Sequence, residues 1–311
     1  MLNLERLRVL RAVAAYGSIT GAAQALHVTT SAVSQQLAKL ERETGAQLVE
    51  RSGRGIRLTE AAELLAGHAA SILTLAERAQ SDIDARSGTV TGRLTIAGLP
   101  TATRGLAAPA LRQLSSAHPA LRVSLAEADS GAALQLVARG DADLAIVHDW
   151  PNAPLAAPED MSRTLLLEDV ADVAVPAGHA LAERRTAELA ELGEGPWICG
   201  TPGTSCRDWL LFTLRSQQAE PVIAHTADEY ATQLALVAAG LGIALMPRLG
   251  REPLPPGVSL IAVTPALCRR IYATWRHASA RRPAIAATVA ALRAAAPAGQ
   301  NGLGDPTRRA D

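Results

Sequence analysis

The sequence predicts an α/β multidomain chain with three parts: an N-terminal winged helix-turn-helix, a long linker helix and a two-lobed α/β remainder. Three observations carry this prediction. Between residues 18 and 59 a helix, a short turn and a second helix lead into two strand-like pieces around Ser52-Gly53-Arg54-Gly55. That is the layout of a winged helix-turn-helix. From Thr59 to Gly88 apolar residues recur at near-heptad spacing. Beyond that, strands and helices alternate in two runs parted by a proline-rich connection at residues 151–158, an order that implies parallel sheets with crossover helices.

Composition agrees. A chain of 311 residues exceeds one ordinary core, so two or three domains are expected. With 48% hydrophobic and 19% charged residues most of it should fold, and with 3% aromatics the cores must be alanine, leucine and valine. The net charge is zero, so any basic surface for nucleic acid must be local. Through residue 60 there are eight basic and five acidic side chains. No apolar run approaches the roughly 20 residues that span a bilayer, and the start, MLNLERLRVLR, is too charged for a secretory leader. Three cysteines without a repeated spacing argue against a disulfide framework. A reducing cytoplasm, with no membrane contact, is the expected setting.

Taken in order, residues 3–16 place Leu4, Leu7, Val9, Leu10, Val13 and Ala14 largely on one helical face. Gly17 ends this helix and Ser18 caps the next. Leu26-His27-Val28 form the turn, with His27 in a structural role, and a third helix opens at Thr29 or Thr30 and runs to about Glu43. Leu4, Leu10, Val13, Ala22, Ala25, Leu26, Val33 and Leu37 are the expected core. Thr59 caps the linker helix, about 28 residues or roughly 40 Å long. Its positions Leu65, Ile72, Ala79 and Leu64, Leu75, Ile83 form a seam that needs a partner helix.

The residues at these spacings resemble the DNA-binding region of LysR-type transcriptional regulators. The matching blocks are AA-x-x-L-H-V at 22–28, S-A-V-S-Q-Q-L at 31–37, L-E at 40–41 and L-V-E-R-x-G-R-G-x-R-L-T at 48–59. The resemblance implies a linker helix that pairs two subunits, and a periplasmic-binding-protein-like effector domain with a cleft between its lobes. The implied partners are double-stranded operator or promoter DNA, a small-molecule effector, with an organic anion as the narrower expectation, and copies of the chain in a homodimer or homotetramer. The expected boundaries are 1–58 for the DNA-binding domain and 59–88 for the linker. The effector domain takes 89–295, with lobe I at about 91–165 and 266–295 and lobe II at about 166–263. The polar stretch 296–311 reads as a disordered tail.

For DNA, Thr30 and Ser31 stand at the end of the third helix that usually faces base edges, where hydroxyls either contact DNA or cap the helix. Thr29 reads as the cap. Many relatives carry glutamine where Thr30 stands, which implies a different operator preference. Ser34, Gln35 and Lys39, the only lysine, follow on the exposed face. Glutamine can pair with adenine, and Ser34 and Lys39 suit phosphates. Arg51 and Arg54 flank the wing tip, where arginine can enter the minor groove or clamp phosphates. Arg57 is set apart, because it can pair with Glu50 across the hairpin.

For the effector, helix N-termini at the carboxyl ends of parallel strands offer free N–H groups to an anion. Two hydroxyl-rich loops qualify, one holding Thr101 and Thr103 and the other Thr201, Thr204 and Ser205. Asp129, Ser130, His148 and Thr226 follow other strand ends. Cys199 and Cys206 bracket the second loop, so thiol-based redox sensing is an alternative. With Arg207 as the only nearby cation, little lowers a thiol pKa. Cys199, Cys206 and His225 lack metal-site spacing. There is no G-x-S-x-G, HExxH or phosphate-binding loop, so neither an enzyme nor a cofactor is expected. A solute-binding protein not acting on DNA is the remaining rival.

Overall fold

The computed structural model describes residues 1–52, 55–156, 158 and 160–297. Arg54 at the expected wing tip, and the tail from residue 298, lie outside the described residues. In the head, α1 (Leu4–Tyr16) begins where the Asn3 side chain accepts from the Glu5 and Arg6 amides, and ends at Gly17 with φ 66°. α2 (Ile19–Ala25) is capped by Ser18, and α3 (Thr30–Thr44) by Thr29, whose hydroxyl accepts from the Ala32 amide at 3.2 Å. His27 fills the turn in the left-handed region, φ 54°.

The core of the head is Leu7, Leu10, Val13, Ala22, Val33, Leu37, Leu40 and Leu48. Leu4 is not part of it. It lies in the first turn of α1 and is 41% exposed, so Leu7, one turn on, takes the expected place. Ala25 and Leu26, at the end of α2, are only half-buried. β1 (Val49–Ser52) and β2 (Gly55–Leu58) pair antiparallel. The Glu41 carboxylate of α3 accepts from the Leu48 and Val49 amides at 2.8 and 3.2 Å, which fixes the base of the wing to α3.

α4 (Glu60–Ser87) is capped by Thr59 and stopped by Gly88 at φ 63°. One face, through Ala62, Ala69 and Leu73, packs on the head. The other leaves Leu64 66%, Leu75 68% and Ile83 63% exposed. No helix among the described residues is long and apolar enough to cross a membrane.

The remainder opens with β3 (Gly92–Gly98), then α5 (Pro100–Ala102), a π turn at Thr103–Ala107, and α6 (Ala108–Ala117). β4 (Leu121–Glu127), α7 (Ser130–Arg139) and β5 (Leu144–Asp149) complete the first half. The long β6 (Met161–Pro176) leads into β7 (Thr186–Glu188), β8 (Pro196–Cys199), α8 (Ser205–Ser216) and β9 (Val222–Thr226). Then come α9 (Tyr230–Ala238), β10 (Ile243–Pro247), β11 (Val258–Thr264), β12 (Leu267–Arg276) and α10 (Pro283–Ala294). Ala295 and Ala296, past the end of α10, still pack against the core of the first half.

The main sheet runs β4-β3-β5-β12-β6-β10-β8-β9. β4, β3 and β5 are parallel, as are β9, β8 and β10. The expected parallel order therefore describes each half, but not the join. There β6 and β12 run antiparallel to each other and to their neighbours. β6 takes on β10 and β11 from Ala171 onward, whereas β12 takes on β5 from Arg270 onward. The two strands thus carry the chain between two cores, one around Leu94, Ile96, Leu144 and Ile271, the other around Val173, Trp197, Leu214 and Ile261.

The head and α4 are fastened to the first lobe. The Arg276 Nε donates to Glu77 of α4 at 2.8 Å, and its Nη1 donates to the Val137 and Ala142 carbonyls at 2.5 and 2.7 Å. The Tyr16 hydroxyl donates to Asp141 at 2.6 Å, Arg139 lies 4.6 Å over the Tyr16 ring, and Arg11 donates to the Arg139 carbonyl. Apart from the Arg276–Glu77 pair, these contacts fall on the C-terminal end of α7 and the turn after it.

Candidate functional site

α3 presents Thr30, Ser31, Ser34, Gln35 and Lys39 to solvent, while Val33, Leu37 and Leu40 point inward. A 3.6-residue period dictates this division. The Thr29 and Ser31 hydroxyls lie 3.0 Å apart, and Ser34 donates to the Thr30 carbonyl at 3.0 Å. Arg6 holds Glu43, and Glu41 is occupied by the wing amides, so both acids of α3 are engaged away from the exposed row. Arg51 stands in β1 opposite Ile56. Arg57 is paired with Glu50. Chemically this is a row of hydroxyl, amide and ammonium groups on a rigid helix, suited to base edges and phosphates.

Between the two lobes lies a cavity of about 330 Å³. Its walls are mostly apolar, with Leu99, Pro100, Ile198, Leu210 and Leu245. At its floor Arg269, 1% exposed, donates from Nε to Asp169 at 2.9 Å and from Nη2 to the Thr101 hydroxyl at 2.8 Å. Thr101 is held by a tight approach of Gly250. A Cβ there would come 2.2 Å from the Thr101 carbonyl oxygen, at φ 64°, so only glycine lets the two backbones meet.

Four residues that the sequence singled out are joined in one hydrogen-bonded chain. The Ser130 hydroxyl accepts from the His148 backbone amide at 3.0 Å and lies 3.3 Å from Nδ1. With that hydroxyl proton directed to Nδ1, the imidazole carries its proton on Nε2, 3.2 Å from the Ser205 oxygen. Ser205 in turn donates to Asp129 at 3.3 Å. Ser205 belongs to the second lobe and the other three to the first, so the chain spans the cleft. Burial first, then the charge of Arg269, lowers the His148 pKa to about 3. The ring is neutral at physiological pH. Beside it Trp150 stacks on Trp209 with centroids 3.4 Å apart, and Trp209 donates to Asn152 at 2.6 Å.

Of the other expected residues, Thr204 lines the cavity and donates to the Thr201 carbonyl, while Thr201 donates to Asp228 from both its amide and its hydroxyl. Thr103 turns its hydroxyl back to the Gly98 carbonyl. Thr226 is exposed at the end of β9 and is not among the cavity's lining residues. Sequence reasoning missed Arg269, Asp228, Tyr230 and Gln233, which line the cavity. A signal existed for Arg269: strand alternation puts it in register with Leu267 and Ile271, both buried.

Cys199 and Cys206 line the same cavity, and burial raises both thiol pKa values. The Cys206 sulfur lies 3.8 Å from the Tyr230 hydroxyl. Among the described residues no group of three His, Cys, Asp or Glu side chains could hold a metal.

A winged head with a polar reading helix, joined to a two-lobed domain around a ligand-sized cavity, defines a DNA-binding transcriptional regulator with an effector-binding domain. Residues 4–63 match the bacterial regulatory helix-turn-helix family of lysR type, and residues 87–297 match the LysR substrate binding domain. The chain belongs to the LysR family. It is 28% identical over 297 residues to the probable HTH-type transcriptional regulator LrrA of Synechococcus elongatus, covering 95% of this chain and 98% of that one. Among solved structures, a cysteine-to-serine variant of Corynebacterium glutamicum OxyR with hydrogen peroxide bound is 26% identical, with TM-score 0.61 over 94% of this chain and 92% of that one. Full-length CbnR in complex with its target DNA shares the fold at 24% identity and TM-score 0.57, over 95% of this chain and all of the other (100%).

Proposed function

We propose that the chain reads operator DNA through Thr30, Ser31, Ser34, Gln35 and Lys39, with Arg51 and Arg54 of the wing on the backbone or in the minor groove. The observation that carries this is the uninterrupted exposed row on α3, with both acids of that helix tied elsewhere. The exposed seam of α4 supports pairing of two chains, and so two heads on neighbouring half-sites. Domain limits near residues 58, 88 and 295 belong to this reading, as does a cytoplasmic regulator rather than an enzyme. A gel shift on the DNA upstream of the chain's own gene tests it. Gln35→Ala should weaken specific binding by about 1–3 kcal/mol, and Lys39→Ala should lower the slope of log affinity against log salt by about one. Unchanged affinity in both variants across several salt concentrations would sink the assignment.

Two cysteines on one cavity and the likeness to an OxyR favour peroxide sensing as a second reading. Against it stand two thiols that burial keeps protonated, where the reactive form is the thiolate. Operator footprints of wild type and Cys206→Ser should therefore be the same with and without peroxide. A peroxide-dependent change in wild type alone would reinstate the redox reading.

A further inference from the structure

The family relationship says that a small molecule enters the cleft, and the side chains there say of what kind. Arg269 is the floor. Its Nε and Nη2 are used by Asp169 and Thr101, but among the described residues Nη1 has no partner and is not closed off by its neighbours. An arginine 1% exposed thus offers two N–H groups to the cavity it lines. A carboxylate is the natural acceptor for such donors.

A simple anion does not suit the rest of the site. Glu127, Asp129 and Asp228 also line the cavity and are exposed on the lobes around it, and Asp169 already offsets Arg269 from behind. Arg207 is the one further cation among the lining residues. Two guanidinium groups therefore meet four carboxylates. A bare anion entering would add to a surplus of its own sign, and a bare cation would leave the open edge of Arg269 unsatisfied. A ligand that carries both charges answers both ends. Between them, Leu99, Pro100, Ile198, Leu210 and Leu245 give apolar wall to an uncharged body.

We propose that the effector of this cleft is a zwitterion of the amino-acid class, with its carboxylate on Arg269 and its ammonium facing Asp129 and Asp228. This rests on the effector-binding reading and sharpens it. The helix N-termini suggested an organic anion; the floor keeps that carboxylate and the rim adds the need for an amine.

Isothermal titration of the full-length chain tests the proposal with probes in matched threes. L-leucine is compared with 4-methylpentanoate and 3-methylbutylamine, 4-aminobutanoate with butanoate and propylamine, and 6-aminohexanoate with hexanoate and pentylamine. The expected result is that at least one amino acid binds about tenfold or more tightly than both of its single-charge counterparts. Asp129→Asn/Asp228→Asn should bring that amino acid within about threefold of its carboxylate counterpart. These exposed, isosteric changes are used because removing Arg269 would strand the buried charge of Asp169. A carboxylate or an amine binding as tightly as its amino acid overturns the proposal, as does an absence of binding by all three amino acids, or a double variant that keeps the full preference. The gel shift is independent of these outcomes, so failure here leaves the DNA-reading assignment standing and failure there leaves this one.

Discussion

His148 is a histidine that cannot act as one near neutral pH. Its ring is sealed between Ser130 and Ser205, and its pKa lies at about 3 rather than at the ordinary 6.5. The sign of the linkage follows. The unfolded chain binds a proton at this residue below about 6.5 and the folded chain does not until about 3, so stability is fully present above the upper value and falls as pH drops toward the lower one. The loss should approach 1.4 kcal/mol per unit, or about 2 kcal/mol between about pH 7 and about pH 5. Urea unfolding of wild type and His148→Gln at these two pH values should show the wild type losing about that much more than the variant. Equal losses would mean the ring is open to protons. That Asp129 and His148 line one cleft, with Ser130 and Ser205 next to them, was legible from their places near strand ends. That they bond to one another was not, because the chain joins residues up to 76 apart in sequence. Arg269 is the opposite case: its inward register was visible, but its partner Asp169 lies 100 residues away on an antiparallel strand that no local pattern reveals.

Among the elements, α4 was the most legible, since cap, stop and heptad spacing are all local signals. Its predicted seam, however, splits by environment: Leu65 packs in part on the chain's own head, beside Ala62, Ala69 and Leu73, whereas Leu64, Ile72, Leu75, Ala79 and Ile83 are open. Burying a leucine is worth about 1.5–3 kcal/mol, so Leu75→Asp should weaken self-association by at least about tenfold. Sedimentation velocity over a concentration series reads this directly, and an unchanged association constant would place the subunit contact elsewhere. The strands were less legible. β6 and β12 each serve two lobes, so their sequences alternate for one neighbour and then for another, and the antiparallel join is fixed by pairing partners rather than by residue type.

At the scale of the molecule, the head is tied to the effector domain through a few polar groups on α7 and the turn after it. Tyr16 and Arg11 grip Asp141 and the Arg139 carbonyl, and Arg276 joins Glu77 to the Val137 and Ala142 carbonyls. Losing two of these hydrogen bonds costs on the order of 1 kcal/mol each. Tyr16→Phe/Arg11→Ala should therefore leave the melting of the α/β domain unchanged while raising amide exchange several-fold at residues 139–141. Exchange as slow as in wild type would show that the head is held by other contacts.

α7 begins at Ser130, inside the cleft, and ends beside the head. Ten residues at 1.5 Å each make a rigid arm of about 15 Å. If closing the lobes on a ligand tilts that arm by about 10°, its far tip swings by about 3 Å, roughly the length of one hydrogen bond. A displacement of that size exceeds what Tyr16 and Asp141 can follow by stretching. On that condition the contact would break rather than stretch, and a graded movement at the ligand would reach the head as a two-position movement.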